Sequence, residues 1–540
     1  MKKPLKLRRY LVHFSSHNIP QIFTDILVIG SGIAGLSAAL KAAQNASVLI
    51  VTKKKIREGC TNKAQGGIAV AIAPGDNPQA HAEDTLKAGC GICSKEAVEI
   101  LTREAPERIQ ELIHSGVEFD RHNSGLSFTR EGGHHCARIL HADGDATGAA
   151  IERNLVRSVR GNGNIAVHEH TFVLDLLTLD NKCYGALVWN RSHGLMMIRS
   201  KQTILASGGL GRVYRETTNP SVATGDGLAM AFRAGAVLQD LEFMQFHPTA
   251  LYVAGAARAL ISESLRGEGA VLKNRKGERF MPRYHEDAEL APRDTVSRSI
   301  ITEMKKQGDT HVLLDATGMS RSHLEERFPT ITRLCDEFEL DISKEMIPVH
   351  PAAHYYIGGV QTDLVGRTSV ENLFACGEVA CTGVHGANRL GSNSLLEGLV
   401  FGQRAGVEAA DVCAHMEEAP PLRALQGLPQ EPAYGSLNLA DVGNSLRSLM
   451  WRSVGVERTG DGLDEALDMI TFWCRYVMDK EFDDPGGWEL QNMLTAARLV
   501  VMCARQREES RGVHFRTDFP ESVESWQRHV VISQSSEEWL

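Results

Sequence analysis

Asp25-Ile-Leu-Val-Ile-Gly-Ser-Gly-Ile-Ala-Gly-Leu-Ser-Ala-Ala-Leu40 decides the fold. Asp25–Ile29 is a short, mostly apolar run that reads as a buried strand. The turn Gly30-Ser-Gly-Ile-Ala-Gly35 follows with G-x-G-x-x-G spacing, and an alanine-rich helix should run to about Ala43. Val48-Leu-Ile-Val51 is the next strand. Strand, glycine turn, helix and strand in this order open a doubly wound α/β domain. Such a turn lets the backbone approach a pyrophosphate, and the helix end behind it supplies N–H donors and partial positive charge. A dinucleotide is the predicted ligand, and a plain tight turn is the bare alternative. The second strand ends in Thr52-Lys53 instead of the acid that would bind a ribose, which on motif logic alone favours a 2′-phosphate.

Working outward, Gln202–Ala206 reads as a strand leading into Ser207-Gly208-Gly209, and Asn372–Cys376 as another ending in Gly377-Glu378. One Rossmann-like nucleotide-binding domain completed by distant pieces of chain is therefore expected, from residues 1–240 and 356–419. Residues 241–355 read as an inserted α+β capping domain. Pro420, Pro421, Pro429 and Pro432 mark a linker into a C-terminal helical domain, 420–540, where Leu494, Ala497, Val501 and Ala504 share a helix face.

Composition narrows the function classes. The 540 residues are 43% hydrophobic and 23% charged, so disorder, fibre and coiled coil are poor readings. A net charge of −9 gives no basic surplus for nucleic acid, so an anionic substrate must meet a local cationic pocket. Eleven cysteines, an odd number scattered along the chain, fit reduced thiols in a cytoplasmic setting. Cys90 and Cys93 have C-x-x-C spacing without a second pair to complete a zinc site. No apolar run is long enough to span a membrane. The lead contains Lys2, Lys3, Lys6, Arg8 and Arg9 without an acid, and reads as disordered or as a transit-type segment.

Four further stretches carry a resemblance. They are Cys60-Thr-Asn-Lys-Ala-Gln-Gly-Gly67, Gln245-Phe-His-Pro-Thr249, Leu290-Ala-Pro-Arg-Asp294 and His385-Gly-Ala-Asn-Arg-Leu-Gly-Ser-Asn-Ser-Leu395. Together, and in this order, they resemble the succinate dehydrogenase/fumarate reductase flavoprotein family over about residues 25–410. Thr129-Arg-Glu-Gly-Gly-His134 and Glu509-Ser-Arg-Gly-Val-His514 are similar to the branch of that family that oxidises aspartate. The implied cofactor is FAD, in place of the 2′-phosphate ligand. Gly30, Ser31, Gly32, Ile33, Ala34 and Gly35 would face its pyrophosphate, with Lys53 a further contact. Cys60, Thr61, Asn62, Lys63, Ala64, Gln65, Gly66 and Gly67 would wrap the flavin, Asp226 and Glu378 would bond the cofactor, and Ser394 and Leu395 would sit at its pyrimidine edge. Ser394-Leu-Leu-Glu397 also has capping-box spacing, which predicts a helix start whose positive end faces reduced flavin. Respiratory relatives carry a flavin-linked histidine where this chain has Cys60, so non-covalent FAD is expected.

The resemblance also implies a substrate site. His247, Ser262, His354 and Arg389 would hold the carboxylates of a four-carbon diacid, which suits planar guanidinium donors and tunable imidazoles. His350 and His354 have the spacing of a metal pair, but Pro351 argues against a helix presenting both, and no metal is expected. Arg293 would transfer the proton with Glu263 and Arg266 as relay partners, or serve only as a carboxylate clamp, since arginine is an awkward base. Glu131 would meet the ammonium that distinguishes aspartate from succinate. The implied reaction is oxidation of L-aspartate to iminoaspartate, with O2 giving H2O2, or fumarate, as acceptor. Its place is in NAD biosynthesis, with quinolinate synthase as a candidate partner. The alternatives are a soluble fumarate reductase or succinate dehydrogenase flavoprotein, separated from it by Cys60 and Glu131, and a non-catalytic flavin-binding redox sensor.

Overall fold

The computed structural model describes residues 8–123, 125–416 and 437–534. Lys2, Lys3, Lys6 and the proline-marked linker at 420–432 lie outside them. A seven-stranded sheet forms the centre, in the order Ile165–His168, Val48–Val51, Gln21–Ile29, Gly194–Leu205, Lys182–Asn190 and Thr171–Leu179. The first four strands run parallel, and the last two join as antiparallel neighbours. Leu373–Ala375 adds a further parallel strand against the C-terminal end of Gly194–Leu205, so distant chain does complete the sheet.

The glycine turn is fixed by crowding. Gly30 has φ +111°, and a Cβ there would stand 2.2 Å from the Ala206 carbonyl oxygen. This contact keeps the turn against the neighbouring strand end and opens its other side. Helix Ile33–Ala42 is then clamped by helix Asn393–Ala414. Gly398, Gly402 and Gly406 recur one turn apart on the longer helix, and side chains there would strike Ile33, Ala34 and Ala38. Small residues at this spacing let two helix backbones approach closely.

The basic lead is not disordered from residue 8 onward, a correction to its sequence reading. Leu11, Val12 and Phe14 are buried with Phe172, Tyr184 and Trp488, and Arg9 donates to the Leu176 carbonyl at 2.5 Å. Burial of these apolar side chains fixes a segment that charge alone would leave in solvent. The first strand also starts four residues early, at Gln21, paired with Met197.

A second, four-stranded antiparallel sheet uses Met244–Leu251, Ile347–Tyr356, Val312–Asp315 and Val271–Lys273. Its first two strands slip register between His247 and Ala250, where Pro248 has no N–H for the ladder. The C-terminal helices are Leu439–Ser453, Gly460–Val477 and Pro485–Gln506. Asp484 caps the last of them by accepting from Gly486 and Gly487, and Leu494, Ala497, Val501 and Ala504 are all buried. Among the described residues no helix is long and apolar enough to cross a membrane.

Candidate active site

A cleft starts at the glycine turn and runs along the carboxyl ends of the parallel strands. Gly30, Ser31, Gly32, Ile33, Ala34, Lys53, Cys60, Thr61, Lys63, Ala64, Asp226, Glu378, Ser394 and Leu395 all line it, with His354 at the substrate side. Two helices, Ile33–Ala42 and Asn393–Ala414, begin at its walls without a cap bond from the N-cap side chain; on the first, the Ile33 N–H donates to Thr61 Oγ1 at 3.0 Å. Ser207 Oγ and Asn219 Oδ1, on residues of the wall, are buried without a partner. Uncapped helix ends, a close-approach turn and orphaned polar atoms in an elongated groove fit a dinucleotide such as FAD.

Five predicted contacts do not line this cleft. Gly35 is packed on the Gly30 carbonyl, and Asn62 donates to buried Glu152 at 2.7 Å. Gln65 is buried with Oε1 unpartnered, Gly67 is jammed against Ile139 and Leu140, and Gly66 lies nearest Glu131 and Ser392. Lys53 has its ammonium engaged by Thr224, Asp226 and Glu489 at 2.6–2.7 Å. Burial pushes the Cys60 thiol pKa well up, which keeps it protonated. Burial likewise raises Glu378 to about 7; its Oε1 accepts from the Tyr356 N–H.

The capping-box expectation is corrected. The N-cap is Ser392, in the left-handed region at φ 60°, and it makes no side-chain cap bond. Ser394 Oγ instead accepts from Arg389 at 3.1 Å. Glu397 turns inward to accept from Tyr355 and Thr382, both at 2.6 Å, because these buried hydroxyls have no water to replace it.

The predicted substrate residues converge beside the cleft; of them only His354 lines it, and Arg389 reaches its wall through Ser394. Arg293 Nε donates to Glu263 Oε2 at 2.5 Å, and its Nη2 lies 3.8 Å from Glu131 Oε2. Arg266 Nη2 is 3.8 Å from the same Glu263 oxygen, and the Gly132 N–H donates to the other at 3.0 Å. Ser262 Oγ caps the short helix Glu263–Gly267, which carries both Glu263 and Arg266. The His247 and His354 rings, on adjacent strands, have centroids 5.1 Å apart. The Thr249 N–H donates to His247 Nδ1, which leaves the proton of the neutral ring on Nε2. His354 Nδ1 pairs with Thr218 Oγ1 at 2.9 Å. The strand placement excludes the helical His350–His354 metal pair.

Electrostatics follow from burial. It drives both His247 and His354 well below the ordinary histidine value, helped by the neighbouring arginines, so both rings are neutral. It lowers Arg389 to about 10, with Arg293 adding to the effect. It also raises Glu131, reinforced by the charge of Glu263, against the pull of Arg293. Burial opposes the charge on Glu263 too, but Arg293 and Arg266 outweigh it and hold that carboxyl below its usual range. Three guanidiniums thus meet two carboxyls in a largely buried site, with one net positive charge when both carboxyls are ionised.

Several members escaped sequence reasoning. Gln245 Oε1 accepts from both Arg389 at 2.9 Å and Arg293 at 3.4 Å, and only its place beside His247 in a quoted stretch pointed to it. Tyr355 lies under the Arg389 guanidinium at 4.5 Å. Ser392 and Ser264 donate to the two oxygens of Glu131 at 2.8 and 3.3 Å. No spacing in the sequence announces these partners.

Comparison with known proteins agrees with this geometry. The FAD binding domain family matches residues 25–395, and the fumarate reductase flavoprotein C-terminal family matches residues 443–539. The chain belongs to the L-aspartate oxidase branch of the succinate dehydrogenase/fumarate reductase flavoproteins. It is 45% identical to an L-aspartate oxidase from Streptomyces coelicolor, covering 95% of this chain and 91% of that one. A chloroplastic L-aspartate oxidase from Arabidopsis thaliana is 43% identical over 95% of this chain and 84% of its own. Among solved structures, an E. coli quinol fumarate reductase superposes with a TM-score of 0.88 at 30% identity, covering 96% of each chain.

Proposed function

We propose that this protein oxidises L-aspartate to iminoaspartate with non-covalently bound FAD, passing electrons to O2, with H2O2 as product, or to fumarate. The observation that carries the choice of substrate is Glu131. It is a carboxylate only 1% exposed, set among arginines and oriented by Ser392 and Ser264. A site built for a plain diacid has no use for a buried anion. One net positive charge matches aspartate, whose two carboxylates and ammonium sum to a single negative charge; succinate carries two.

FAD, when bound, supplies a two-electron acceptor that no side chain here can provide. Gly30 to Ala34 would hold its pyrophosphate, Asp226 and Glu378 its flanks, and Ser394 and Leu395 the pyrimidine edge. Protonated Cys60 supports non-covalent binding. Arg389, His247 and His354 clamp the substrate carboxylates, with Gln245 fixing the arginine spacing. Arg293 gives a proton to Glu263, to which its Nε already donates, and the neutral guanidine so formed takes the substrate proton. Neutral histidines serve as hydrogen-bond donors here, which leaves the proton to the Arg293–Glu263 pair. All eleven cysteines stand unpaired, which supports a cytoplasmic setting. The reactive imine would be consumed by quinolinate synthase in NAD biosynthesis. The FAD-binding domain would comprise residues 1–240 and 356–419, capped by 241–355 and followed by a helical domain at 420–540.

The test is peroxide release by FAD-loaded protein given L-aspartate or succinate in air. Aspartate-dependent peroxide is expected. Succinate oxidation without aspartate oxidation would reassign the chain to its diacid-oxidising relatives, and no turnover with either would make it a binding protein.

A further inference from the structure

Arg293 and Arg389 come from segments nearly a hundred residues apart, yet both must hold one small substrate. Directly behind them lies a closed circuit of bonds. Asn388, next to Arg389, donates from Nδ2 to Asp294 Oδ1 at 2.9 Å; Asp294 is next to Arg293. The other Asp294 oxygen pairs with Arg298, one turn along the same helix, at 2.7 Å. Arg298 Nη1 donates to the Gly512 carbonyl at 2.9 Å, and the Val513 N–H donates to the Ala387 carbonyl at 2.9 Å. That bond returns the circuit to the loop bearing Arg389.

The third segment belongs to Glu509-Ser-Arg-Gly-Val-His514, a stretch to which the chemistry above gives no role. Its geometry is tightly specified. Gly512 has φ +55°, and a Cβ there would lie 2.2 Å from the Ala387 carbonyl oxygen. Arg511 Nη1 donates to the Cys90 carbonyl, and both Glu509 oxygens hold Arg511, at 2.7 and 3.0 Å. Arg298 also stands 5.3 Å over the ring of Phe515. The turn is thus anchored on its far side while its inner edge meets both arginine-bearing segments.

We infer that Arg298 and the Gly512 turn are positioning elements: they set the separation of Arg293 and Arg389, and so the fit of the diacid substrate. This rests on the proposed function only in placing a dicarboxylate between the two arginines. Neither element touches the cleft, so their effect must pass through Asp294, Asn388 and Ala387. A shift of about 1 Å between catalytic and binding groups can cost a hundredfold in rate.

The holoenzyme variants Arg298→Gln and Gly512→Ala test this. Each is expected to weaken succinate binding, read as perturbation of the bound flavin spectrum, by about tenfold or more, and to slow anaerobic flavin reduction per bound flavin similarly. Arg298→Lys, which can keep one of the two links, should recover part of the loss. Unchanged binding and unchanged reduction per bound flavin would overturn the inference, even with a lower thermal midpoint or flavin content, because that pattern marks a merely structural role. The substrate preference of the unmodified protein tests the proposed function separately. The variant-to-native ratio, with whichever diacid binds, tests this inference; failure of the native protein to bind any diacid overturns both.

Discussion

In the proposed function, selectivity turns on Glu131. Its carboxylate faces a guanidinium and two hydroxyls, so it is held in place before any ligand arrives. Glu131→Gln keeps the shape and removes the charge. Loss of one charge-assisted bond is worth about 1.5–3 kcal/mol, so kcat/KM for aspartate should fall by about 10- to 100-fold. Succinate, without an ammonium, should bind as well or better; equal losses for both would refute the discriminating role. The pH dependence follows from the raised pKa of this carboxyl, whose cause is burial and then Glu263. As pH falls from neutral, Glu131 takes up its proton earlier than an ordinary carboxyl. The contact for the ammonium is then lost and the site gains positive charge. KM for aspartate should therefore rise on acidification while succinate binding strengthens, and Glu131→Gln should abolish this opposition.

The helix pair beneath the cofactor cleft shows what could and could not be foreseen. The glycine turn and its helix were legible because G-x-G-x-x-G chemistry is local: strand, turn and N-terminus adjoin in sequence. The partner helix was also foreseen, but from the wrong cap. Ser394 and Glu397 have capping-box spacing, yet their tertiary partners, Arg389, Tyr355 and Thr382, are stronger than the local pairing. The stripe Gly398, Gly402 and Gly406 went unread because its meaning lies in the opposing backbone at Ala34 and Ala38. Gly402→Ala tests that packing. On an isolated helix the change would stabilise by about 1 kcal/mol. Here the new Cβ would stand 2.6 Å from the Ala34 carbonyl oxygen, so overpacking should prevail and destabilise by about 1–3 kcal/mol. A raised thermal midpoint would show that the helices can separate at no cost.

At the scale of the molecule, two sheets and a C-terminal helical layer bring residues from 131 to 394 together beside the cleft. The residues that cluster around Arg293 and Arg389 could be picked out in the sequence because the residue types suited to a diacid are few and sit in ordered motifs. Their supports, such as Gln245, Ser264 and Ser392, were not, because each lies beside its partner only after folding. The lead was misjudged for a related reason: five cations obscured Leu11, Val12 and Phe14, whose burial against Trp488 is a long-range event. Deleting residues 1–14 should lower the thermal midpoint by removing these three side chains, each worth up to about 1.5–3 kcal/mol. Turnover per bound flavin should be unchanged, since none of the described residues 8–14 lines the cleft. Lost turnover at full flavin occupancy would assign the lead a catalytic part.

The most direct measurement is the visible spectrum of the FAD-loaded protein, without oxygen, as L-aspartate is added. Prompt bleaching of the flavin by L-aspartate, absent in Arg293→Leu with FAD still bound, is the predicted result. A spectrum that bleaches with succinate and not with aspartate would contradict the account.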